Sequence, residues 1–248
     1  MKEIWSYSIG SYLGNHLRDN LWYKIAEILL VFLSAFLVIK LLLPVAGDDP
    51  ILKQAVIWLA NVIMLLLVYS GLKLRGESLK DFGLSFSKVS WKEGMKMFGL
   101  SLLVFLLAII GFLLGSIIMA NITGIPETSD MSAYGYLKSN LGMLLLTLAG
   151  VYIVSSFGEE VIYRAFLINR ISEIGLGKKW AVVLAVIISS IIFGLAHYSW
   201  GPMGMVQTGL MGLALGICYI KLKKKLWILI LAHAYMDTIL MVQMYLAQ

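Results

Sequence analysis

Long apolar runs broken by short polar stretches set the pattern of this chain. Seven runs are long enough to cross a bilayer: Ile25–Val45, Ile51–Leu72, Met95–Ala120, Leu141–Phe157 with its continuation, Trp180–His197, Met203–Ile220 and Leu226–Leu246. About 20 apolar residues span a hydrocarbon core as a helix. Lipid cannot satisfy backbone N–H and C=O groups, so helices are the form such runs take. The pattern predicts an all-α polytopic membrane bundle of about seven transmembrane helices, read as a single membrane domain over residues 1–248. An eighth, re-entrant or interfacial helix has two candidate places, Met1–Asn20 and Gly76–Trp91. In the second, Ser78-Leu79-Lys80-Asp81-Phe82-Gly83-Leu84 reads as a surface helix with a turn. No internal repeat is visible. Gly209, Gly212 and Gly216, and Gly111 and Gly115, have the small-residue spacing that lets helices pack closely.

Composition supports the same class. The 248 residues are 60% hydrophobic and 14% charged, with a mean hydropathy of +0.88. A soluble domain carries roughly a quarter charged residues. The formal net charge of +6 would suggest nucleic acid in a soluble protein. Here the basic residues lie in short loops, so they set topology and meet anionic headgroups. No nucleic-acid role is assigned; the partners expected are the lipid bilayer and a membrane protein or peptide substrate.

Lys73, Arg75, Lys80, Lys88 and Lys92 follow the second run, Arg170, Lys178 and Lys179 the fourth, and Lys221, Lys223, Lys224 and Lys225 the sixth. The alternate loops carry Asp48 and Asp49, then Glu127 and Asp130, then the near-neutral Tyr198–Pro202. That asymmetry predicts a cell-membrane protein with a cytoplasmic N-terminus and an outside C-terminus. Residues 1–24 hold Trp5, Tyr7, Tyr12, Trp22 and Tyr23 without a small-residue cleavage site, and read as an interfacial segment. Cys218 is the one cysteine, which excludes a disulfide within the chain and reads as a small buried hydrophobe.

Few ionisable residues are left inside the spans: Glu159, Glu160 and Arg164 in the fourth, His197 ending the fifth, and His233 and Asp237 in the seventh. Charges in hydrocarbon cost several kcal/mol unless paired or facing water, so they mark function. Glu27 and Lys40, near the ends of the first span, can snorkel and read as structural. Glu160 and Arg164 are four apart and share a helix face, which pairs them. Glu159 is five before Arg164, points toward the face of Tyr163 and is the less neutralised acid, suited to act as a general base. The turn between the fourth and fifth spans centres near Lys178. Glu159 lies 19 residues before it and His197 19 after, so a hairpin puts them at similar depth. Phe193 shares the face of His197, and His233 shares that of Asp237.

Ser155 and Ser156 have no base at a recognisable spacing, which argues against acyl-enzyme chemistry. Two hydrolytic routes remain. A carboxylate activates water with histidines at the oxyanion. Alternatively, Glu159, His197 and His233 hold a divalent metal such as zinc with an open position for water. The first needs no cofactor.

Glu159-Glu160-x-x-x-Arg164, Phe193-x-x-x-His197 and His233-x-x-x-Asp237 resemble the three motifs of the CAAX protease and bacteriocin-processing (CPBP, or Abi) family, which includes the prenyl-protein endopeptidases. The resemblance covers roughly Met95–Leu246 and makes residues 95–246 the expected catalytic core. It implies an intramembrane glutamate protease in which Glu159 activates water and His197 assists. His233 and Asp237 would orient the oxyanion or the water, with Arg164 structural on Glu160. It also implies a role in peptide processing, signalling or bacteriocin immunity; the small size favours a bacterial protein. Prenylation of the substrate stays open. The last motif position is often Asn in the prenyl proteases, and Asp237 donates no hydrogen bond unless protonated. Two other classes compete: a non-catalytic immunity or regulatory partner, and a proton-coupled transporter built on the same Glu/His/Asp chain.

Overall fold

The computed structural model describes residues 12–86, 88–124, 132–175 and 177–247, and they form helices and turns with no strand among them. Trp5 and Tyr7 of the interfacial segment, and Glu127 and Asp130 of the acidic loop, lie outside the described residues. A short helix α1 over residues 12–19 precedes seven helices long and apolar enough to cross a membrane. These are α2 (Leu21–Ala46), α3 (Pro50–Arg75), α4 (Trp91–Thr123), α5 (Leu141–Ile174), α6 (Lys179–Ala196), α7 (Gly201–Lys221) and α8 (Leu226–Leu246).

Polar residues at the ends of the apolar runs fix where these helices start. Asn20 accepts from the Trp22 N–H at 2.9 Å, and Asp49 accepts from the Ile51 and Leu52 N–H groups ahead of Pro50. Ser90 and Glu93 form a capping box on α4, and Asn140 caps α5. Each satisfies backbone donors that a helix end leaves without partners. Because Asn20 caps so early, the first span begins at Leu21 and takes in Trp22 and Tyr23.

Of the two places for an extra helix, Met1–Asn20 contains one. Gly76–Trp91 does not. Ser78 donates its N–H and O–H to Asp81 at 2.7 and 2.9 Å, closing a turn and holding the Asp81 carboxyl below its usual range. Phe82 and Leu84 then turn inward and are buried. Gly83 is needed there: its φ is +81°, and a Cβ would strike the Lys224 carbonyl.

α5 is the centre of the bundle. Every residue from Glu160 to Ile168 is buried, and Ile162, Phe166 and Leu167 join the main apolar core with Phe193 of α6, Leu215 and Tyr219 of α7 and Leu229 of α8. Gly111 and Gly115 bring α4 onto the α7 backbone at Leu210 and Gln207, as their spacing implied. Gly194 brings α6 onto α7 at Met205.

One charge cluster differs from expectation. Glu27 does not snorkel. It is 8% exposed, and its Oε2 accepts from Arg75 Nη2 at 2.6 Å. Arg75 also donates to Glu173 at 3.0 Å, and Arg170 donates to Glu173 at 2.6 Å and to both oxygens of Glu77. Arg75 and Arg170, expected as loop charges, are 2% and 1% exposed. The guanidinium fork matches carboxylates two at a time, so three acids from distant positions draw both arginines inside. A cleft of about 490 Å³ lies against this network, lined by Glu77, Asp81, Arg170, Glu173 and Lys224 among others.

Candidate active site

The middle of α5 is not a regular α-helix. The backbone widens into π turns at Tyr152–Phe157 and again at Glu160–Ile168, on either side of Glu159. Such widenings occur frequently at functional sites. They present Ser156, Glu159 and Glu160 to α8.

Glu160 holds the buried centre and is fully buried. Its Oε1 lies 3.2 Å from Arg164 Nη1, the pair that helix spacing predicted. The same oxygen accepts from His233 Nδ1–H at 2.9 Å, a bond that spacing could not show. A carboxylate can only accept, so His233 carries a proton on Nδ1 and turns Nε2 the other way. Nε2 faces Glu159 Oε2 at 3.8 Å and Asp237 Oδ1 at 3.9 Å. Both separations exceed a hydrogen bond. They are short enough for one water molecule to touch both sides. Glu159 Oε2 is buried and has no protein hydrogen-bond partner.

Asp237 is held in turn by Ser156, whose hydroxyl donates to Oδ2 at 2.6 Å. Ser156 carries a role that the sequence reading missed. Its only signal was position, one turn before Glu160.

Phe193 organises the far side. The Arg164 guanidinium lies over its ring at 4.2 Å. Tyr163, His197 and His233 pack around the same ring at 5.0, 4.8 and 6.4 Å between centroids. Gly212 leaves the room, since a Cβ there would sit 2.9 Å from Phe193 Cδ1. His197 follows the end of α6. Its Nδ1–H donates to the Phe193 carbonyl at 2.9 Å, which leaves Nε2 with its lone pair. The equal depth expected for Glu159 and His197 therefore does not become a direct contact. No hydrogen bond or ion pair joins them among the described residues, and His197 reaches the cluster through Phe193.

The structure thus brings together Glu159, Glu160, Arg164, His233 and Asp237, with Phe193 and His197 beside them. Residues 141–239 match the family model for type II CAAX prenyl endopeptidases, described as Rce1-like. The matched stretch holds all three motifs and lies inside residues 95–246. It bears out the family resemblance and the expectation of a multi-pass membrane protease family. No curated protein and no solved structure matches the chain.

A metal is a poor fit to these residues. Among the described residues no three His, Cys, Asp or Glu side chains are grouped to hold an ion. In the set Glu159, His197 and His233, Glu159 and His233 approach to 3.8 Å, while no hydrogen bond or ion pair joins His197 to either among the described residues.

Proposed function

We propose that the chain is an intramembrane endopeptidase that hydrolyses a peptide bond of a membrane-associated protein or peptide with water activated by Glu159. The observation that carries this reading is Glu159 Oε2, a buried carboxylate oxygen with no protein partner, facing His233 Nε2 across 3.8 Å. A scaffold has no need of such an acid beside an oriented imidazole. Inside a family-matched segment, the pair has the parts of a general base and an oxyanion partner.

In this mechanism Glu159 takes a proton from water as the water oxygen attacks the scissile carbonyl carbon. The carbonyl electron pair moves to oxygen, where His233, protonated at Nε2 as well as at Nδ1, donates to it. On collapse the C–N bond breaks, and the proton held by Glu159 passes to the leaving amine. Asp237 positions His233 Nε2 and the water, and His197 lines the opposite side and assists with its free Nε2. Glu160 and Arg164 fix the first imidazole. The substrate class follows the family: a peptide carrying a prenylated CAAX end, or an unprenylated membrane peptide. Peptide maturation, signalling and bacteriocin immunity are the roles this activity would serve.

The test is Glu159→Gln in the full chain, reconstituted in liposomes, with a quenched farnesylated CAAX peptide and a quenched unprenylated hydrophobic peptide. Cleavage is expected to fall by at least about 100-fold, the low end for a lost proton-transfer group. The variant is expected to reach the membrane in wild-type amount. Retained cleavage sinks the glutamate mechanism. A wild-type protein that cleaves neither peptide but moves protons across the liposome favours the transporter. Treatment with a chelator is expected to leave cleavage unchanged; loss restored by zinc returns the metal route.

A further inference from the structure

Two side chains outside the three motifs hold the backbone of α5 where it leaves the α-helical course. Over Glu160–Ile168 the backbone bonds run five residues back, and at Asn169 a helix of ordinary pitch resumes. In a regular α-helix the Asn169 N–H would reach the Ala165 carbonyl, four residues back. Here it goes to the Phe166 carbonyl instead. Ala165 is fully buried, and a buried carbonyl without a donor is costly. The Asn169 side chain supplies the donor, with Nδ2 donating to the Ala165 carbonyl at 2.6 Å. The same nitrogen donates to the Tyr219 hydroxyl of α7 at 3.2 Å. Asn169 is thus tied to a neighbouring helix as well as to its own.

Ser189 acts on the same stretch from α6. Its hydroxyl donates to the Tyr163 carbonyl at 2.7 Å, across the helix interface, and both residues are buried. A serine inside a helix commonly bonds four residues back along its own ladder. Its neighbour Ser190 does so, to the Val186 carbonyl at 2.7 Å. Ser189 gives its one hydrogen to α5 instead. Tyr163 and Ala165 stand on either side of Arg164. Arg164 approaches Glu160 at 3.2 Å and lies over Phe193, and Glu160 holds His233. The two anchored carbonyls therefore fix the stretch from which Glu160 and Arg164 project. Relaxation of that stretch to an α course would turn one end against the other by roughly 100°, one residue of a 3.6-residue turn.

We propose that Asn169 and Ser189 are positioning residues of the peptidase: through the carbonyls on either side of Arg164 they hold the π course of α5, and so keep Glu160 and its His233 in register with Glu159. The proposal rests on the peptidase reading above. Neither side chain transfers a proton.

The test compares Ser189→Ala, Asn169→Leu and Ser190→Ala in the reconstituted full chain with the two quenched peptides. Leucine is close to asparagine in size and lacks the donor. Ser190→Ala removes a buried hydroxyl one residue away whose bond stays inside α6. Ser189→Ala and Asn169→Leu are each expected to lower kcat roughly 10- to 100-fold with little change in KM, the scale of a small misplacement of catalytic groups. Ser190→Ala is expected to keep wild-type kcat. Ser189→Thr, which retains the hydroxyl, is expected to recover most of the Ser189→Ala loss. Amide hydrogen exchange in detergent gives a readout independent of cleavage. Exchange over residues 160–169 is expected to rise in Ser189→Ala and Asn169→Leu and to stay at the wild-type level in Ser190→Ala. Ser189→Ala alone decides the case if Asn169→Leu fails to fold. If Ser189→Ala keeps wild-type kcat while Glu159→Gln is inactive, the inference is overturned and the peptidase reading stands. Equal losses in Ser189→Ala and Ser190→Ala, or a change confined to KM or to the unfolding midpoint, assign Ser189 a merely structural role and also overturn it. A wild-type protein that cleaves neither peptide overturns the peptidase reading and the inference with it.

Discussion

Adjacent glutamates, alike in sequence, stand in different surroundings. Glu160 sits between Arg164 and His233 with no exposure, whereas Glu159 Oε2 meets no protein donor. The contrast makes a pair of expectations. Glu160→Gln leaves Arg164 buried without a counter-charge, which typically costs about 3–5 kcal/mol. It also loosens His233, so activity should fall even at temperatures where the variant stays folded. Glu159→Gln removes an uncompensated buried charge and should leave the thermal unfolding midpoint equal to wild type or above it. Thermal unfolding in detergent, followed alongside cleavage, separates the two. A stable Glu160→Gln with full activity would contradict the geometry. The Glu160–Arg164 pair was legible from helix phase, because an i,i+4 pair survives the local widening. The His233 bond to Glu160 was not legible, since it joins residues 73 apart through packing alone.

At the scale of elements, the π turns of α5 decide which polar groups meet α8. A regular 3.6-residue phase predicted the Glu160–Arg164 pair but gave Ser155 and Ser156 no role. The turn at Tyr152–Phe157 aims Ser156 at Asp237. Hydrogen bonds to charged groups contribute about 1.5–3 kcal/mol. Ser156→Ala is thus expected to lower stability by an amount in that range and to reduce kcat, because Asp237 becomes free to turn away from His233. Ser156→Thr, which retains the hydroxyl, should preserve part of the activity; equal loss in both variants would point to crowding instead. The seam between α6 and α7 is tight in a comparable way. Gly212→Ala pushes a methyl against Phe193, the ring on which Arg164, His197 and His233 all rest. Overpacking of this kind costs about 1–3 kcal/mol. The small-residue spacing announced close packing here, but not that the beneficiary is a ring at the site.

For the whole molecule, apolar run length was enough to find all seven spans, because each needs about 20 apolar residues to cross a bilayer, even though the helices run from 18 to 34 residues. Loop charges were a weaker guide. Arg75 and Arg170 counted toward a cytoplasmic positive face, yet both are buried with Glu27, Glu77 and Glu173. Arg75 reaches Glu27 and Glu173, 48 and 98 residues away, and Arg170 reaches Glu77, 93 away, which no local pattern shows; the Arg170–Glu173 pair, three apart, is local. Removing both from the count still leaves Lys73, Lys80, Lys88, Lys92, Lys178, Lys179 and Lys221 with Lys223–Lys225 on one face. The proposed orientation therefore does not depend on them. The network instead ties α2, α3 and α5 together at the end of the bundle remote from the acids. Arg170 is eleven residues along α5 from Glu159, about 16 Å at 1.5 Å per residue. Arg75→Gln leaves buried Glu27 with only the longer 3.6 Å approach of Arg170 Nε and is expected to cost up to about 3–5 kcal/mol. The double variant Arg75→Gln/Glu27→Gln removes both charges and should lose less than Arg75→Gln alone, since a buried ion pair replaced as a unit is often nearly neutral. Because the network is distant from His233, both variants should retain wild-type kcat at temperatures where they remain folded. Unfolding midpoints and kcat measured on the same reconstituted samples check both parts. A double variant less stable than Arg75→Gln would mean that Glu173 and Arg170 depend on the pair, and a fall in kcat would mean that the two ends of α5 are coupled.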